Sequence, residues 1–95
     1  MLESSAKLRI EESFKKAAEE AKSLPSNVTN EDKLILYGLY KQATMGDNTG
    51  DRPGVFNQTG RAKHDAWEAQ KGKGKDTAME EYIMKVQTLQ EKYAS

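Results

Sequence analysis

Apolar side chains recur three and four positions apart in four separate segments, and this helical period constrains the fold of the chain more than any other feature. The first segment shows the period most simply, along Ile10, Phe14, Ala17, Ala21 and Leu24. Pro25 follows, and a proline disfavours helical geometry in the residue before it. We therefore predict a first helix that ends at about Leu24.

Three further segments show the same period, at about residues 30–44, 61–71 and 76–93. Thr29 or Asn30 is expected to cap the second helix, because either side chain can accept a hydrogen bond from the first turn. The predicted interior face of this helix contains Leu36, Leu39, Ile35 and Ala43. Together the four segments predict an all-α protein organised as a four-helix bundle.

Residues 46–60 interrupt the helical pattern with a dense group of glycine, asparagine, aspartate and proline. Such residues are typical of turns, so we predict a long loop that Val55 and Phe56 attach to the core. A loop of this length does not force the next helix to be antiparallel. The bundle is therefore expected to depart from simple up-down order.

Composition limits the core and the classes of partner. A chain of 95 residues with 36% hydrophobic and 32% charged residues fits one domain with a thin core. Lys and Arg number 15 and Asp and Glu number 15, which removes the long-range attraction of a nucleic-acid binder. No stretch approaches the roughly 20 apolar residues of a membrane span, and residues 1–6 do not resemble a signal peptide. We expect a cytoplasmic monomer without stable membrane insertion.

The usual catalytic groupings are missing from the sequence. There is no cysteine, no serine in a nucleophile-elbow context, and a single histidine, His64, which is too little for an ordinary metal site. The Gly72–Lys75 segment lacks the full phosphate-loop pattern and no strand precedes it. We therefore predict a binding protein that has no enzymatic activity, no metal and no cofactor.

The segment from Tyr37 to Gln42 is the best candidate for one wall of a site for an anionic ligand. Offsets of three, four and seven place one group on the same helix face: Tyr37, Tyr40, Lys41 and Thr44. Phenol rings and an ammonium suit a phosphorylated nucleotide, but half-buried tyrosines that only pack would show the same spacing. Lys63 and Tyr82 stand on or beside the apolar stripes of other helices and favour the binding interpretation.

The same residues, with others further along the chain, resemble the acyl-CoA-binding protein family. The resemblance lies in the run YGLYKQATMGD from Tyr37 to Asp47, in Arg52–Gly54, in the Lys63–Trp67 segment and in the Ala78–Tyr82 segment. It extends without apparent gaps from Phe14 to Tyr93.

The resemblance implies an up-down-down-up four-helix bundle that binds medium- and long-chain fatty acyl-CoA esters. Such a protein serves as an intracellular carrier and buffer and does not catalyse a reaction on its ligand. Residues 1–10 are then an N-terminal extension and residues 11–95 the acyl-CoA-binding domain. A helical protein-interaction module that uses the same tyrosine-rich groove is the alternative.

Carrying the family's roles over to matching positions implies a set of ligand contacts. The CoA head is assigned to Tyr37, Tyr40, Lys41, Lys63, Tyr82 and Lys22, and the acyl-chain groove to Phe14, Ala17, Ala18 and Leu34. Within the head, Tyr37, Lys41 and Lys63 hold the ribose 3′-phosphate. Tyr40 and Tyr82 contact the adenine end, and Lys22 assists with the phosphates.

Three positions depart from what is common in the family. His64 stands in place of an aromatic residue, and Thr59 and Asn27 each stand in place of a lysine. The two lost charges are expected to weaken contacts to the diphosphate, and His64 to alter the acyl-chain preference.

Overall fold

The structure, a computed structural model, describes the backbone of residues 2–94 and the side chains of residues 6–94. Its four helices are α1 (Leu2–Ala21), α2 (Asn30–Met45), α3 (Gln58–Glu68) and α4 (Lys75–Lys92). Residues 2–94 contain no β-strand. The prediction of an all-α protein with four helices is confirmed.

The helix ends differ from the predictions by a few residues, for local reasons. Helix α1 starts at Leu2, so the predicted extension is continuous with the first helix. It ends at Ala21 because the amides of residues 22–24 bond to carbonyls three residues back, as in a turn. Helix α3 starts before Arg61 because the Asn57 side chain caps it, accepting a hydrogen bond from the Gly60 amide at 2.9 Å.

Helices α2 and α4 pack together at the centre, with α1 against α4 and α3 against α2. Near the start of α2, Asp32 pairs with Lys85 and Lys92 towards the end of α4, so these two helices are antiparallel. The starts of α1 and α4 border one depression, and the starts of α2 and α3 border another. The helix order is therefore up-down-down-up. Within residues 2–94, no helix has the length and apolar character that a membrane span needs.

The core is a thin layer between the helices. Its buried apolar members are Phe14, Ala17, Val28, Leu36, Leu39, Ala43, Ala78, Tyr82, Val86 and Leu89. Three predicted core residues lie outside it, because Ile35 is 40% exposed, Val55 62% and Phe56 100%. Those predictions were wrong: Ile35 lies at the rim of the α2–α3 packing, and the loop does not turn its apolar residues inward.

Polar contacts hold the loop in place of the predicted apolar anchors. The indole nitrogen of Trp67 donates a hydrogen bond of 2.8 Å to the Gly46 carbonyl, where α2 ends. Arg52 makes two hydrogen bonds to the carboxylate of Asp65, at 3.0 and 2.8 Å. This contact is the main cause of the lowered pKa of Asp65. The loop is thereby attached to α3, which carries Lys63.

Candidate functional site

An open cavity of about 610 Å³ lies between α1, α2 and the middle of α4. Its wall contains most of the residues predicted to bind a ligand: Phe14, Ala18, Lys22, Tyr37, Tyr40 and Tyr82. The spacing argument placed Tyr37 and Tyr40 on one face of α2, and that face borders the cavity. The bundle therefore brings together side chains from three helices that are far apart in sequence.

Three rings form an aromatic cluster on the cavity wall, namely Phe14, Tyr40 and Tyr82. The rings of Phe14 and Tyr40 are stacked with centroids 5.5 Å apart, and Tyr82 meets Phe14 edge-on at 5.1 Å. Tyr82 is buried, whereas Tyr40 is 42% exposed and offers a flat apolar surface to a planar ligand. Burial, with a smaller contribution from Tyr40, raises the pKa of the Tyr82 phenol.

Two ammonium groups flank the ring of Tyr37 and form a lysine pair, Lys41 and Lys63. Their Nζ atoms lie 5.8 and 5.6 Å from the ring centroid, and Lys41 also lies 5.5 Å from the centroid of Trp67. Neither lysine forms an ion pair with a side chain of residues 6–94. The lysine pair thus concentrates positive charge beside the phenol, as a phosphate group requires.

Two residues assigned to the acyl-chain groove do not line this cavity. Ala17 is 3% exposed and packs in the core. Leu34 lies instead in a depression of about 360 Å³ between α2 and α3, together with Ala62 and Lys63. The apolar surface available to a tail is therefore divided between the cavity and this α2–α3 depression.

Gln42 was included in the predicted wall, but the structure gives it another role. The side chain is 1% exposed, and its Nε2 donates to Asp47 Oδ1 at 2.9 Å and to the Lys73 carbonyl at 2.7 Å. Asp47 also accepts from the Gly72 amide. The α2–α3 and α3–α4 connections are therefore both tied to Gln42 of α2. The hydrogen bond from the Gly72 amide, and then the one from Gln42, lower the pKa of Asp47. Gln42 supports the loops and does not face the cavity.

Lys33 is a site residue that the sequence arguments missed. It lines both the cavity and the α2–α3 depression. A signal was present in the spacing, because Lys33 precedes Tyr37 by four residues and so shares its helix face. The prediction started from aromatic residues and did not extend the face towards the start of α2.

The three positions that depart from the family's common residues lie in different surroundings. His64 contacts the loop, with Nε2 3.2 Å from the Gly50 carbonyl and Nδ1 3.3 Å from Asp65. Thr59 borders the α2–α3 depression, and Asn27 is exposed in the α1–α2 connection. Of the three, only Thr59 lies on the wall of a pocket described above.

Fold and site together define a small helical ligand-binding domain, with an aromatic and cationic site beside two apolar depressions. A protein-family model described as "Acyl CoA binding protein" matches residues 11–86. The chain belongs to the acyl-CoA-binding protein family, which confirms the resemblance seen in the sequence.

Individual relatives agree with this assignment. The chain is 56% identical over 86 residues to "Acyl-CoA-binding domain-containing protein 1" of Oryza sativa subsp. japonica, covering 90% of this chain and 94% of that protein. It is 57% identical over 86 residues to "Acyl-CoA-binding domain-containing protein 3" of the same organism, but spans only 56% of that protein's length.

A solved structure agrees with the fold. The "Crystal Structure of Oryza sativa Acyl-CoA-Binding Protein 2" superposes with a TM-score of 0.93 at 51% identity, over 95% of this chain and 98% of that one. None of these matches favours the alternative of a helical protein-interaction module.

Proposed function

We propose that the protein binds medium- and long-chain fatty acyl-CoA esters as a carrier and buffer, without catalysing a reaction on them. The observation that supports this most is the position of the lysine pair around Tyr37, next to the aromatic cluster and to apolar depressions. One ligand that combines a charged nucleotide with a long apolar chain matches all of these surfaces.

In this proposal the lysine pair and Tyr37 bind the ribose 3′-phosphate. Charge-assisted hydrogen bonds of this kind contribute about 1.5–3 kcal/mol each, and less where the groups are solvated. The adenine ring contacts the aromatic cluster through Tyr40, and Lys22 assists at the phosphates. The head of the ligand is thereby distinguished from a bare fatty acid.

The tail is proposed to bury its methylenes against apolar parts of the same site. Phe14, Ala18 and Leu36 supply such surface in the cavity, and Leu34 and Ala62 supply it in the α2–α3 depression. Each methylene removed from water contributes about 0.8 kcal/mol, so ten contribute up to about 8 kcal/mol before the costs of association. Chain length is therefore expected to dominate the differences in affinity between acyl-CoA esters.

The role of the lysine pair is tested with ligands that do or do not carry the 3′-phosphate. Lys41→Ala and Lys63→Ala are expected to weaken palmitoyl-CoA binding about tenfold each, and to have little effect on palmitoyl-dephospho-CoA. Lys16→Ala is the control, because Lys16 is exposed and borders a separate depression beside α4. Equal losses for the two ligands would contradict the proposed position of the 3′-phosphate.

Binding without catalysis is tested by incubating palmitoyl-CoA with the protein and then measuring whether the mass of the ligand is unchanged. Among residues 6–94, the cavity wall offers tyrosine, lysine and Glu19 but no cysteine or serine. His64 contacts the loop instead. We expect the thioester to survive as long as it does in buffer, and accelerated release of CoA would refute this part of the proposal.

The monomeric state and the cytoplasmic location stay predictions. Light scattering of the purified protein checks the monomeric state.

A further inference from the structure

We infer that Lys33 is a specificity-determining ligand contact, which holds the 5′-diphosphate of an acyl-CoA ester where the head of the ligand meets its tail. This inference rests on the proposed function. The observation behind it is the position of Lys33 on the wall of both the cavity and the α2–α3 depression. A ligand that occupies both would contact this side chain from either pocket.

The charge of Lys33 is available to such a ligand. Lys33 is exposed and forms no ion pair with a side chain of residues 6–94. Lys22 lines the same cavity from α1, but its Nζ lies 3.3 Å from the carboxylate of Glu19. Glu19 partly offsets the charge of Lys22, although this pair is exposed to solvent, and no carboxylate of residues 6–94 pairs with Lys33.

The covalent order of the ligand places the diphosphate close to Lys33. In a CoA ester the 3′-phosphate and the 5′-diphosphate are attached to one ribose, and the pantetheine arm leads from the diphosphate to the acyl chain. Lys33 lies four residues, about 6 Å along the helix axis, from Tyr37, where the 3′-phosphate is proposed to bind. It also borders the depression that contains Leu34 and Ala62. Lys33 is thus placed between the ribose and the part of the tail that occupies the α2–α3 depression.

A different role for Lys33 has a different signature. The four methylenes of a lysine can cover an apolar chain while the ammonium stays in water. In that case Lys33→Met would keep or increase the affinity for a long acyl chain. If the ammonium binds the diphosphate, the same substitution weakens every ligand that contains a diphosphate.

The test compares Lys33→Met with wild type, using palmitoyl-CoA and palmitoyl-dephospho-CoA. We expect both ligands to bind about fivefold to tenfold more weakly, because both keep the diphosphate. This result would distinguish Lys33 from the lysine pair, because substitutions in the lysine pair are expected to weaken binding of palmitoyl-CoA but not of palmitoyl-dephospho-CoA. Lys33→Arg is expected to retain most of the affinity, and Lys16→Met is the control for removing one positive charge.

A second measurement reports the contact directly. The ³¹P NMR signals of bound palmitoyl-CoA distinguish the diphosphate from the 3′-phosphate, and Lys33→Met is expected to shift only the diphosphate signals. Unchanged or tighter binding by Lys33→Met, or a shift confined to the 3′-phosphate, would overturn the inference. If wild-type protein does not bind palmitoyl-CoA, the proposed function fails and this inference fails with it. If wild type binds but Lys33→Met behaves like wild type, only this inference fails.

Discussion

At Gly38 the backbone of α3 lies directly against α2, so adding one methyl group there tests how the site is held together. A Cβ atom at this position would lie 2.8 Å from the carbonyl carbon of Ala66 and still closer to its oxygen. Both atoms belong to the backbone of α3, so no side-chain rotation can relieve the contact. Gly38→Ala is therefore expected to push α3 away from α2.

The size of the effect follows from two opposing terms. Overpacking of this kind costs about 1–3 kcal/mol, and a rigid backbone neighbour places the cost near the upper end. Alanine is favoured over glycine inside a helix by about 1 kcal/mol, which offsets part of that cost. The net loss should be about 2 kcal/mol, which lowers the Tm of a domain this small by about 8–16 °C.

Urea unfolding followed by circular dichroism measures this free-energy difference. Gly54→Ala is the matched control, because a Cβ atom there meets nothing within 4 Å and the residue does not have a positive φ. It should change stability by less than about 1 kcal/mol. Movement of α3 would also carry Lys63 away from Tyr37, so Gly38→Ala should bind palmitoyl-CoA more weakly. A variant as stable as wild type would refute the claim that this contact sets the spacing of α2 and α3.

Three other changes test the core, the loop and the electrostatics. Leu89→Ala should cost about 2–5 kcal/mol in urea unfolding, because Leu89 is 1% exposed at the centre of the core; a loss below 1 kcal/mol would contradict that position. Phe56→Ser should change stability by less than about 0.5 kcal/mol, since the ring is fully exposed, and a larger loss would indicate a packed loop. The pKa of Asp32 is lowered mainly by its hydrogen bond from Lys85. Ionised Asp32 therefore stabilises the folded state above about pH 4, and this stabilisation is lost as the pH falls through the lowered pKa. Lys85→Met should flatten the acid limb of a stability-against-pH curve, and an unchanged limb would exclude this pair as its cause.

Much of the fold was accessible from sequence because helical periodicity reports directly which face is buried. Leu36, Leu39 and Ala43 are buried as predicted, and Thr29 caps α2 by accepting from the Asp32 amide. Ile35 was misassigned because periodicity alone does not reveal how much of a helix its neighbours cover.

The loop and the polar interior were harder to predict. The exposed Phe56 shows that an apolar residue in a loop need not be an anchor. The real attachments are hydrogen bonds, such as that from the Trp67 indole to Gly46, and their partners depend on the tertiary fold. The role of Gln42 was not predicted for the same reason, because its amide partners lie in two separate connections.

The site itself was predicted in part. The common face of Tyr37, Tyr40 and Lys41 follows from spacing. Lys63, Tyr82 and Phe14 were also named from the sequence, but only the structure shows how other helices bring them to this face. Lys33 borders both the cavity and the α2–α3 depression because α1 and α3 lie on either side of α2. No local sequence pattern contains that information.

Isothermal titration with palmitoyl-CoA, free CoA and palmitate tests the proposed function most directly, because it separates the head of the ligand from its tail. If one site recognises both parts, palmitoyl-CoA should bind far more tightly than either fragment, by at least about a hundredfold, or about 2.7 kcal/mol. Equal affinity for all three ligands, or no measurable binding of palmitoyl-CoA, would contradict the proposal that the lysine pair and the apolar depressions serve one acyl-CoA ester.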